Sequence, residues 1–302
     1  MRVRFSAPDG AWRDWAPALR AALPEADLAR DGDPAGFDAI IYAPGGDITD
    51  FTPYRRARIV QSLWAGVERI VGNPTLTQPL ARMVDPGLAQ GMAEYCTGWV
   101  MRAHLGMDAY AQDGVWRNGT VPPLAPERRV TILGMGALGR SVAAMLGAVG
   151  FDLCGISASG RAVSGLRVHP VGDLDRLLGQ AGILVCLLPD TDATRGLLDA
   201  RRLALMPRGA WLINPGRGTL IDDDALLEGL AQGRPGHAVL DVFHREPLAP
   251  DHPFWAHPAV TVTPHVAAET RPATAAPVVA ENLRRAMDGR PILHLVDRAR
   301  GY

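Results

Sequence analysis

Short apolar runs alternate with amphipathic stretches along the chain, and the second half shows this pattern most clearly. There, strand-like runs are separated by stretches whose apolar residues recur at helical spacing. Strands that alternate with helices predict βαβ units and hence a parallel sheet. The strands predicted in this series are residues 129–133, 153–157, 183–188, 210–214, 238–242 and 260–263.

The N-terminal third repeats the rhythm with less regular patterns. We predict strands at residues 3–5, 39–42 and 69–71 and helices near residues 12–22 and 53–64. A proline-rich loop over residues 73–86 and a helix from residue 88 to about 112 precede the second series, and a helix near residues 277–287 follows it. The fold class is therefore α/β, with two Rossmann-like or flavodoxin-like domains built on parallel sheets.

A glycine-rich turn joins the first strand of the second series to its helix. Gly134, Gly136 and Gly139 have the spacing G-x-G-x-x-G. The first glycine permits the tight turn, the second lets the backbone approach a pyrophosphate, and the third lets helix and strand pack closely. The helix N-terminus adds free amides for the phosphates. The strand before the motif and the helix after it predict a dinucleotide site, whereas the motif alone would fit an ordinary glycine-rich turn.

Three motifs near the end of the chain carry the residue types needed for hydride transfer to a 2-oxo acid. Arg217 lies in Asn-Pro-Gly-Arg-Gly, Glu246 in Phe-His-Arg-Glu-Pro and His265 in Thr-Pro-His. The reduction needs a cation that holds the carboxylate and polarises the ketone, and an acid that protonates the new alkoxide. A carboxylate beside the far ring nitrogen keeps an imidazole charged and oriented. Arg217, His265 and Glu246 are predicted in those roles, although each alone would fit a surface or packing residue.

Composition narrows the partners of such a site. A chain of 302 residues, 47% of them hydrophobic, is long enough for two domains with separate cores. The net charge of −1 and the pI near 6.7 provide no basic stripe for nucleic acid or an anionic membrane. The chain shows no apolar run of membrane-spanning length and opens like a strand, so we expect a cytoplasmic protein with a small-molecule substrate.

The reactive residue types exclude several chemistries. The chain contains no lysine, and all 31 of its cationic side chains are arginine, which excludes pyridoxal Schiff bases and phosphate binding by a P-loop lysine. Cys96, Cys154 and Cys186 lack C-x-x-C spacing and are expected to be buried thiols. The eight histidines show no metal-ligand spacing, so no metal is expected. We expect His244, His252 and His257 to be structural, because no carboxylate stands at motif spacing from them.

Together these motifs resemble the D-isomer-specific 2-hydroxyacid dehydrogenases, nearest to their glyoxylate/hydroxypyruvate reductase A branch. The likeness includes Leu-Trp-Ala-Gly-Val from residue 63, Gly-Met-Ala-Glu-Tyr from residue 91, Leu-Leu-Pro from residue 187 and the closing Val-Asp-Arg-Ala-Arg-Gly-Tyr. It implies a discontinuous substrate domain over residues 1–96 and 270–302 and a dinucleotide-binding domain over residues 97–269. It also implies an active site in the interdomain cleft and a homodimer.

The resemblance assigns further residues to the site. Tyr42, Ala65 and Gly66 are expected to bind the substrate together with Arg217, the two small residues through their backbone amides. Asp241 is expected to accept a hydrogen bond from the nicotinamide carboxamide. A packed aromatic is the alternative for Tyr42, and a solvated strand end is the alternative for Asp241. The residues expected to contact the cofactor are Gly134, Gly136, Ala137, Leu138, Gly139, Ser157, Ser159, Arg161, Leu188, Pro189, Asn214 and Asp241.

The end of the second strand in this series favours NADPH over NADH. An NAD-selective site usually carries Asp or Glu about 20 residues into the fingerprint, bonded to the ribose hydroxyls. Here Ser157, Ser159 and Arg161 follow the strand, and no acidic residue lies between Asp152 and Asp173. Two hydroxyls and a guanidinium suit a 2′-phosphate, which a carboxylate would repel. NADP is therefore the expected cofactor, and NAD is the alternative.

The sequence thus predicts an NAD(P)-dependent oxidoreductase that reduces glyoxylate, hydroxypyruvate or a similar small 2-oxo acid. A dehydrogenase of the same fold for a bulkier 2-oxo acid is the enzymatic alternative, because the sequence does not define the size of the pocket. A nucleotide-sensing, corepressor-like binding protein is the alternative from another class, because such proteins share the fold and retain the catalytic residues. Turnover of a 2-oxo acid distinguishes the two classes.

Overall fold

A computed structural model of the chain describes residues 1–110, 114–116, 118, 121–163 and 165–302. Its strands are β1 (Arg2–Ser6), β2 (Asp27–Ala29), β3 (Ala39–Tyr42), β4 (Val60–Ser62), β5 (Leu80–Ala81), β6 (Arg129–Leu133), β7 (Asp152–Ser157), β8 (Arg167–Pro170), β9 (Ile183–Cys186), β10 (Trp211–Asn214), β11 (His237–Leu240) and β12 (Val260–Val262). Its α-helices are α1 (Ala11–Ala22), α2 (Pro86–Leu105), α3 (Ala137–Val149), α4 (Leu174–Leu178), α5 (Ala200–Leu205), α6 (Asp223–Ala231) and α7 (Pro272–Met287).

The chain divides into two units. Unit 1 comprises Met1–Leu88 and Thr270–Tyr302, and unit 2 comprises Ala89–Glu269. Unit 1 contains a five-stranded sheet and unit 2 a seven-stranded sheet, and every strand pairing in both is parallel. The α/β fold with two parallel sheets that the sequence predicts is therefore confirmed.

In unit 1 the strand order is β2-β1-β3-β4-β5. Helices α1 and α7 cover one face, where Trp15, Leu19, Val279 and Leu283 pack with Ile41 of β3. The other face packs on aromatic and aliphatic side chains from the loops after β3 and β4. Both faces of the sheet are thus buried, as parallel sheets require.

The predicted helix over residues 53–64 is wrong, because its second half forms β4. Every residue of β4 is buried, and the strand pairs with β3 on one side and β5 on the other. A short strand buried on both faces shows no alternation, so pairing across the sheet overrides the helical preference of an arginine-rich segment. The predicted strand over residues 69–71 is also wrong: it forms a turn in which Ile70 N donates to Val67 O at 3.0 Å.

The sequence pattern does not predict three short strands of the described chain, β2, β5 and β8. Each lies at the edge of its sheet, and β5 falls inside the predicted proline-rich loop. An edge strand pairs on one side only, so a short segment without an apolar period suffices. The predicted end of the helix near residue 112 lies outside the described residues, and α2 ends at Leu105.

In unit 2 the strand order is β12-β11-β10-β9-β6-β7-β8. From β8 to β11, and with β6 counted as the first strand, this is the 3-2-1-4-5-6 order of the dinucleotide-binding fold, and β12 adds a seventh strand. The direction of the order reverses between β6 and β9. In open α/β sheets, ligands bind outside the carboxyl ends of the strands at this reversal. A ligand site is therefore expected among the residues that follow β6, β7, β9, β10, β11 and β12.

None of the helices in the described part of the chain is both long and apolar enough to cross a membrane. Cys96, Cys154 and Cys186 are free and buried, and burial raises the pKa of each of these thiols. A buried thiol with a raised pKa stays protonated and is a poor nucleophile.

Candidate active site

The glycine turn after β6 has the geometry that its sequence predicts. Gly134 has a φ of 113°, and an added Cβ would lie 2.6 Å from Leu187 O. A Cβ on Gly139 would lie 1.9 Å from Gly134 O. A Cβ on Gly136 would meet none of the described atoms within 4 Å. The packing of the chain itself requires glycine at the first and third positions, whereas the second glycine faces open space.

Helix α3 begins directly at this turn. Gly136 caps the helix, Ala137 and Leu138 are its first residues, and Arg140 N donates to Gly136 O at 3.0 Å. The first amides of a helix have no intrahelical acceptor, and the first turn of α3 contains no acidic residue. Backbone donors and a partial positive charge thus meet beside Gly136, an arrangement suited to phosphates.

The end of β7 lies next to this turn, since Leu133 of β6 pairs with Ile156 of β7. Ser157 Oγ accepts a hydrogen bond from Gly160 N at 3.1 Å, and Ser159 Oγ accepts one from Arg161 N at 3.4 Å. Ser159 and Arg161 are exposed. The two hydroxyls and the guanidinium therefore belong to one tight turn at the carboxyl edge of the sheet, without a carboxylate among them.

The chain after β9 completes the edge beside β6. Leu187 N donates to Leu133 O at 2.7 Å, which extends the pairing of the two strands. Leu188 and Pro189 follow, both partly exposed, and Pro189 O accepts a hydrogen bond from Thr194 Oγ1 at 2.6 Å. These predicted cofactor residues thus line the point where the strand order reverses.

Asn214, at the end of β10, shapes the turn that carries Arg217. Its Nδ2 donates to Arg217 O at 2.9 Å, and its Oδ1 accepts from Gly216 N at 3.1 Å. The amide is buried and engaged on both sides, so it fixes the backbone on which the arginine stands. Arg217 is half-buried, and its Nη1 donates to Gly216 O at 2.7 Å. Pro215 has no amide hydrogen, and the turn is closed by Asn214 instead.

Glu246 and His265 are in direct contact. His265 Nδ1 lies 2.7 Å from Glu246 Oε2, and Glu246 Oε1 accepts a hydrogen bond from Phe243 N at 3.0 Å. The side chain of His265 is 52% exposed. Because Nδ1 is held by the carboxylate, Nε2 is the ring nitrogen that can deliver a proton. The structure therefore brings together the two residues that the sequence pairs.

The turn around His265 is held by the buried carboxylate of Asp241. Oδ1 accepts from Thr263 Oγ1 at 2.6 Å and from Val266 N at 2.9 Å, and Oδ2 accepts from Ala267 N at 2.9 Å. His265 itself has a φ of 54°, which L-residues rarely adopt. Three hydrogen bonds to one carboxylate stabilise this unusual backbone. Asp241 is fully buried, so the solvated strand end is the wrong alternative.

Tyr95 on α2 extends this network. Its Oη lies 2.7 Å from Thr263 Oγ1. Since the single hydroxyl proton of Thr263 is given to Asp241, Tyr95 is the donor in this contact. Burial, and to a smaller extent the charge of Asp241, raises the pKa of the Tyr95 phenol, which therefore keeps its proton. No pattern in the sequence indicates this link, because the two residues are 168 positions apart.

In unit 1, the predicted substrate residues lie at the end of β3 and in the turn after β4. Tyr42 is 7% exposed and meets Phe51 edge to face, with ring centroids 5.6 Å apart. Ala65 and Gly66 lie partly exposed in the turn after β4. Ser62 Oγ accepts from Trp64 N at 3.1 Å and fixes the start of this turn. Tyr42 thus packs as an aromatic, while Ala65 and Gly66 present backbone.

His244 and His252, which the sequence predicts to be structural, both face Asp223 at the start of α6. Their Nε2 atoms lie 3.7 and 3.8 Å from its carboxylate oxygens. The sequence motifs do not indicate this partner, because Asp223 belongs to α6 and not to the segment that contains the histidines. Burial raises the pKa of Asp223, against the opposing charges of the two histidines.

Known proteins with similar sequences share the region that contains these residues. The sequence profile described as "D-isomer specific 2-hydroxyacid dehydrogenase, NAD binding domain" matches residues 99–267. The chain belongs to this family. It is also 35% identical to glyoxylate/hydroxypyruvate reductase A of Salmonella newport, over 100% of both chains. The resemblance seen in the sequence is therefore confirmed.

Solved structures give the same relationship. A D-isomer specific 2-hydroxyacid dehydrogenase from Xanthobacter autotrophicus Py2, in complex with NADPH and MES, is 37% identical with a TM-score of 0.93, over 100% of this chain and 99% of that one. The NADPH-dependent glyoxylate/hydroxypyruvate reductase of Sinorhizobium meliloti, in complex with NADP and sulfate, is 33% identical with a TM-score of 0.89 over the same shares. Both the order of elements and the fold are thus shared along the full chain.

Proposed function

We propose that this chain reduces glyoxylate, hydroxypyruvate or a similar small 2-oxo acid to the 2-hydroxy acid, with NADPH as the hydride donor. The observation that carries the proposal is the 2.7 Å contact between His265 Nδ1 and Glu246 Oε2, in the same unit as the glycine turn. Membership of the family and the activities of the named relatives support it.

The roles follow from the chemistry of the reduction. When bound, the cofactor supplies a hydride to the carbonyl carbon of the substrate. Arg217 binds the carboxylate of the 2-oxo acid and polarises its carbonyl oxygen, which becomes negative as the reaction proceeds. His265 delivers a proton from Nε2 to that oxygen. Glu246 holds the imidazole through Nδ1, so that Nε2 is the ring nitrogen that faces the substrate.

Asp241 has a double role in this proposal. Its three hydrogen bonds hold the turn of His265, and a carboxylate accepts about four hydrogen bonds in total. One acceptor position remains for the nicotinamide carboxamide, and because Asp241 is 0% exposed, binding there requires the surrounding residues to move. Such a contact would fix which face of the ring meets the substrate.

Unit 1 is proposed to recognise the substrate and unit 2 to bind the cofactor. The backbone of Ala65 and Gly66, with Tyr42, would serve the carboxylate and the small side chain of the 2-oxo acid. The open space beside Gly136 and the free amides of α3 fit a pyrophosphate. The proposed cofactor contacts are Gly134, Gly136, Ala137, Leu138, Gly139, Ser157, Ser159, Arg161, Leu188, Pro189, Asn214 and Asp241.

NADPH is preferred in this proposal because of the turn after β7. Ser157, Ser159 and Arg161 offer hydroxyls and a cation there, while a carboxylate that would repel a 2′-phosphate is absent from residues 153–163 and 165–172. Relatives solved with NADPH or NADP support the choice. NADH is the weaker alternative.

We also propose a homodimer located in the cytoplasm. Several apolar side chains in one segment of unit 2 are between 48% and 91% exposed, and they are Met107, Tyr110, Val115, Trp116, Val121 and Leu124. Exposed apolar side chains that form one contiguous patch are typical of a protein interface. The three free thiols suit a reducing compartment. Light scattering on the wild type and on Trp116→Glu tests the dimer, since the variant should be monomeric.

The experiment that tests the function is a panel of 2-oxo acids assayed with NADPH and with NADH. Glyoxylate and hydroxypyruvate should give the highest kcat/KM, and NADPH should exceed NADH. A preference for acids with large side chains would favour the bulkier-substrate dehydrogenase. Cofactor binding without turnover of any 2-oxo acid would favour the nucleotide-sensing protein instead.

A further inference from the structure

Two loops of unit 2 that carry proposed catalytic residues are in direct contact. We call residues 215–222, after β10, the Arg217 turn, and residues 241–247, after β11, the Glu246 loop. A Cβ on Gly218 of the first would lie 2.1 Å from the carbonyl carbon of Phe243 in the second. His244 Nε2 of the second lies 2.8 Å from Ile221 O of the first. Since a carbonyl oxygen only accepts, Nε2–H is the donor.

The position of this contact matters because of its neighbours. Phe243 N, next to His244, donates to Glu246 Oε1 at 3.0 Å, and Glu246 Oε2 holds His265 at 2.7 Å. The backbone of the Glu246 loop therefore determines where the carboxylate and the imidazole stand. If that loop moves relative to the Arg217 turn, the proton donor moves relative to the cation. A misplacement of about 1 Å can lower the rate of a reaction about 100-fold.

We propose that His244 is a positioning residue, whose hydrogen bond to Ile221 O keeps the Glu246–His265 pair in register with Arg217. This inference rests on the function proposed above. It assigns a role to a histidine that touches neither substrate nor cofactor in that scheme. The approach of Gly218 to Phe243 is a packing contact between the two loops, and the bond from His244 adds a directed hydrogen bond to it.

The neighbouring carboxylate of Asp223 provides the competing explanation. His244 and His252 both face Asp223, at 3.7 and 3.8 Å, and Asp222 and Asp224 add their negative charges beside it. A purely electrostatic effect at Asp223 would make the two histidines equivalent. Their other partners differ: the Nδ1 of His252 accepts from Phe254 N at 3.3 Å within its own loop, whereas His244 donates to the Arg217 turn. His252 is therefore a matched control.

The kinetic test compares His244→Leu, His244→Gln and His252→Leu. His244→Leu removes the donor at similar volume and should lower kcat for the 2-oxo acid about tenfold, with the Kd for NADPH unchanged. His244→Gln keeps an amide N–H of similar reach and should recover most of the lost kcat. His252→Leu should stay within about twofold of wild type. If leucine overpacks the loop and the variant does not fold, His244→Ala replaces it with the same expectation.

A second readout does not depend on activity. Hydrogen exchange of the Phe243 amide, measured without cofactor or substrate, should be fast in His244→Leu and slow in wild type and His244→Gln. A wild type that reduces no 2-oxo acid would overturn the proposed function, while this exchange pattern would still test the link between the loops. Unchanged kcat and unchanged exchange in His244→Leu would overturn the positioning role. Equal losses in His244→Leu and His252→Leu would assign the effect to Asp223 instead.

Discussion

The turns that follow the first strand of each unit occupy the same place in a parallel sheet but contain different residues. In unit 1, β1 leads through Pro8 and Asp9 to α1, which has Asp14 in its first turn. In unit 2, β6 leads through Gly134 and Gly136 to α3, whose first turn has no acidic residue. Proline provides no amide hydrogen, and carboxylates repel phosphates near a helix N-terminus. The same βα geometry therefore suits an anion in unit 2 and disfavours one in unit 1.

The carboxyl edges of the two sheets differ in the same way. In unit 2 this edge carries Arg217, Glu246 and His265, which are charged or titratable. In unit 1 the predicted substrate residues are a buried phenol and a turn of small residues, Tyr42 with Ala65 and Gly66. Transfer of a proton needs titratable groups, whereas recognition of a small acid needs donors of fixed position. Variants of Glu246, His265 and the glycine turn in unit 2 should thus alter kcat or cofactor binding, and variants in unit 1 should alter KM for the 2-oxo acid. Variants of Arg217, which also binds the substrate carboxylate, should alter both kcat and KM.

The largest effect should follow from Arg217→Ala. Loss of the cation that stabilises the developing oxyanion should lower kcat about 10²- to 10³-fold, while the Kd for NADPH stays near that of wild type. Arg217→Lys should recover little, since an ammonium lacks the bidentate geometry of guanidinium. Steady-state kinetics and a fluorescence titration measure the two quantities. Arg195→Ala, which removes an exposed arginine paired with Asp190, is the control. Near-normal turnover in Arg217→Ala would exclude its assigned role.

The cofactor preference should follow next in size. Arg161→Ala should weaken kcat/KM for NADPH about 10- to 150-fold and leave NADH unaffected, as expected for one charge-assisted contact. Ser157→Asp should reverse the preference, because a carboxylate repels the 2′-phosphate and accepts from the ribose hydroxyls. Arg176→Ala, which removes an arginine paired with Asp173, is the control and should change kcat/KM for neither NADPH nor NADH. A wild type that favours NADH would contradict the assignment and leave the reductase proposal intact.

The variant Gly136→Ala should weaken cofactor binding without lowering the stability of the fold. Since the added Cβ would meet none of the described atoms within 4 Å, the melting temperature should stay close to that of wild type. The Kd for NADPH should rise by about tenfold, because the methyl group would occupy the space proposed for the pyrophosphate. Gly147→Ala, with its Cβ 3.6 Å from Leu153 Cδ1, is the control in the same helix. Undiminished NADPH binding in Gly136→Ala would place the dinucleotide elsewhere.

Tyr42→Phe in unit 1 should have the smallest effect. Burial raises the pKa of the Tyr42 phenol, so the group stays neutral and contributes no charge at physiological pH. Removing the hydroxyl should raise KM for the 2-oxo acid less than about threefold and leave kcat unchanged. Tyr54→Phe, in the same apolar cluster, should change neither. A large loss of kcat in Tyr42→Phe would contradict the division of roles between the units.

The sequence was most informative where short motifs dictate local geometry. The positive φ of Gly134 and the close packing of Gly139 follow from the fingerprint, and β6 has the predicted bounds. The pairing of Glu246 with His265 followed from chemistry and from family resemblance. The helix over residues 53–64 failed because sheet pairing decided its conformation. Local contacts determine the glycine turn, so the sequence predicts it, whereas contacts with distant strands determine residues 53–64.

The supporting contacts of the site lay outside what the sequence can show. The link from Tyr95 to Thr263 joins positions 168 residues apart, and the bond from His244 to Ile221 joins positions 23 apart. Neither separation belongs to a recognisable sequence motif, because the partners lie on different elements that only the folded chain brings together. Motifs therefore predict which groups react, while the residues that hold them in place emerge only from the folded chain.

Replacement of Glu246 tests the account most directly, because the Glu246–His265 pair is the proposed route of the proton. Glu246 Oε2 lies 2.7 Å from His265 Nδ1, and this contact orients the ring so that Nε2 can deliver the proton. The measurement is kcat/KM for glyoxylate in wild type, Glu246→Gln and Glu246→Ala, with the Kd for NADPH measured beside it. Both variants should lose at least about tenfold in kcat/KM, while the Kd for NADPH stays near that of wild type. A kcat/KM equal to that of wild type in both variants would contradict the pairing and, with it, the proposed route of the proton.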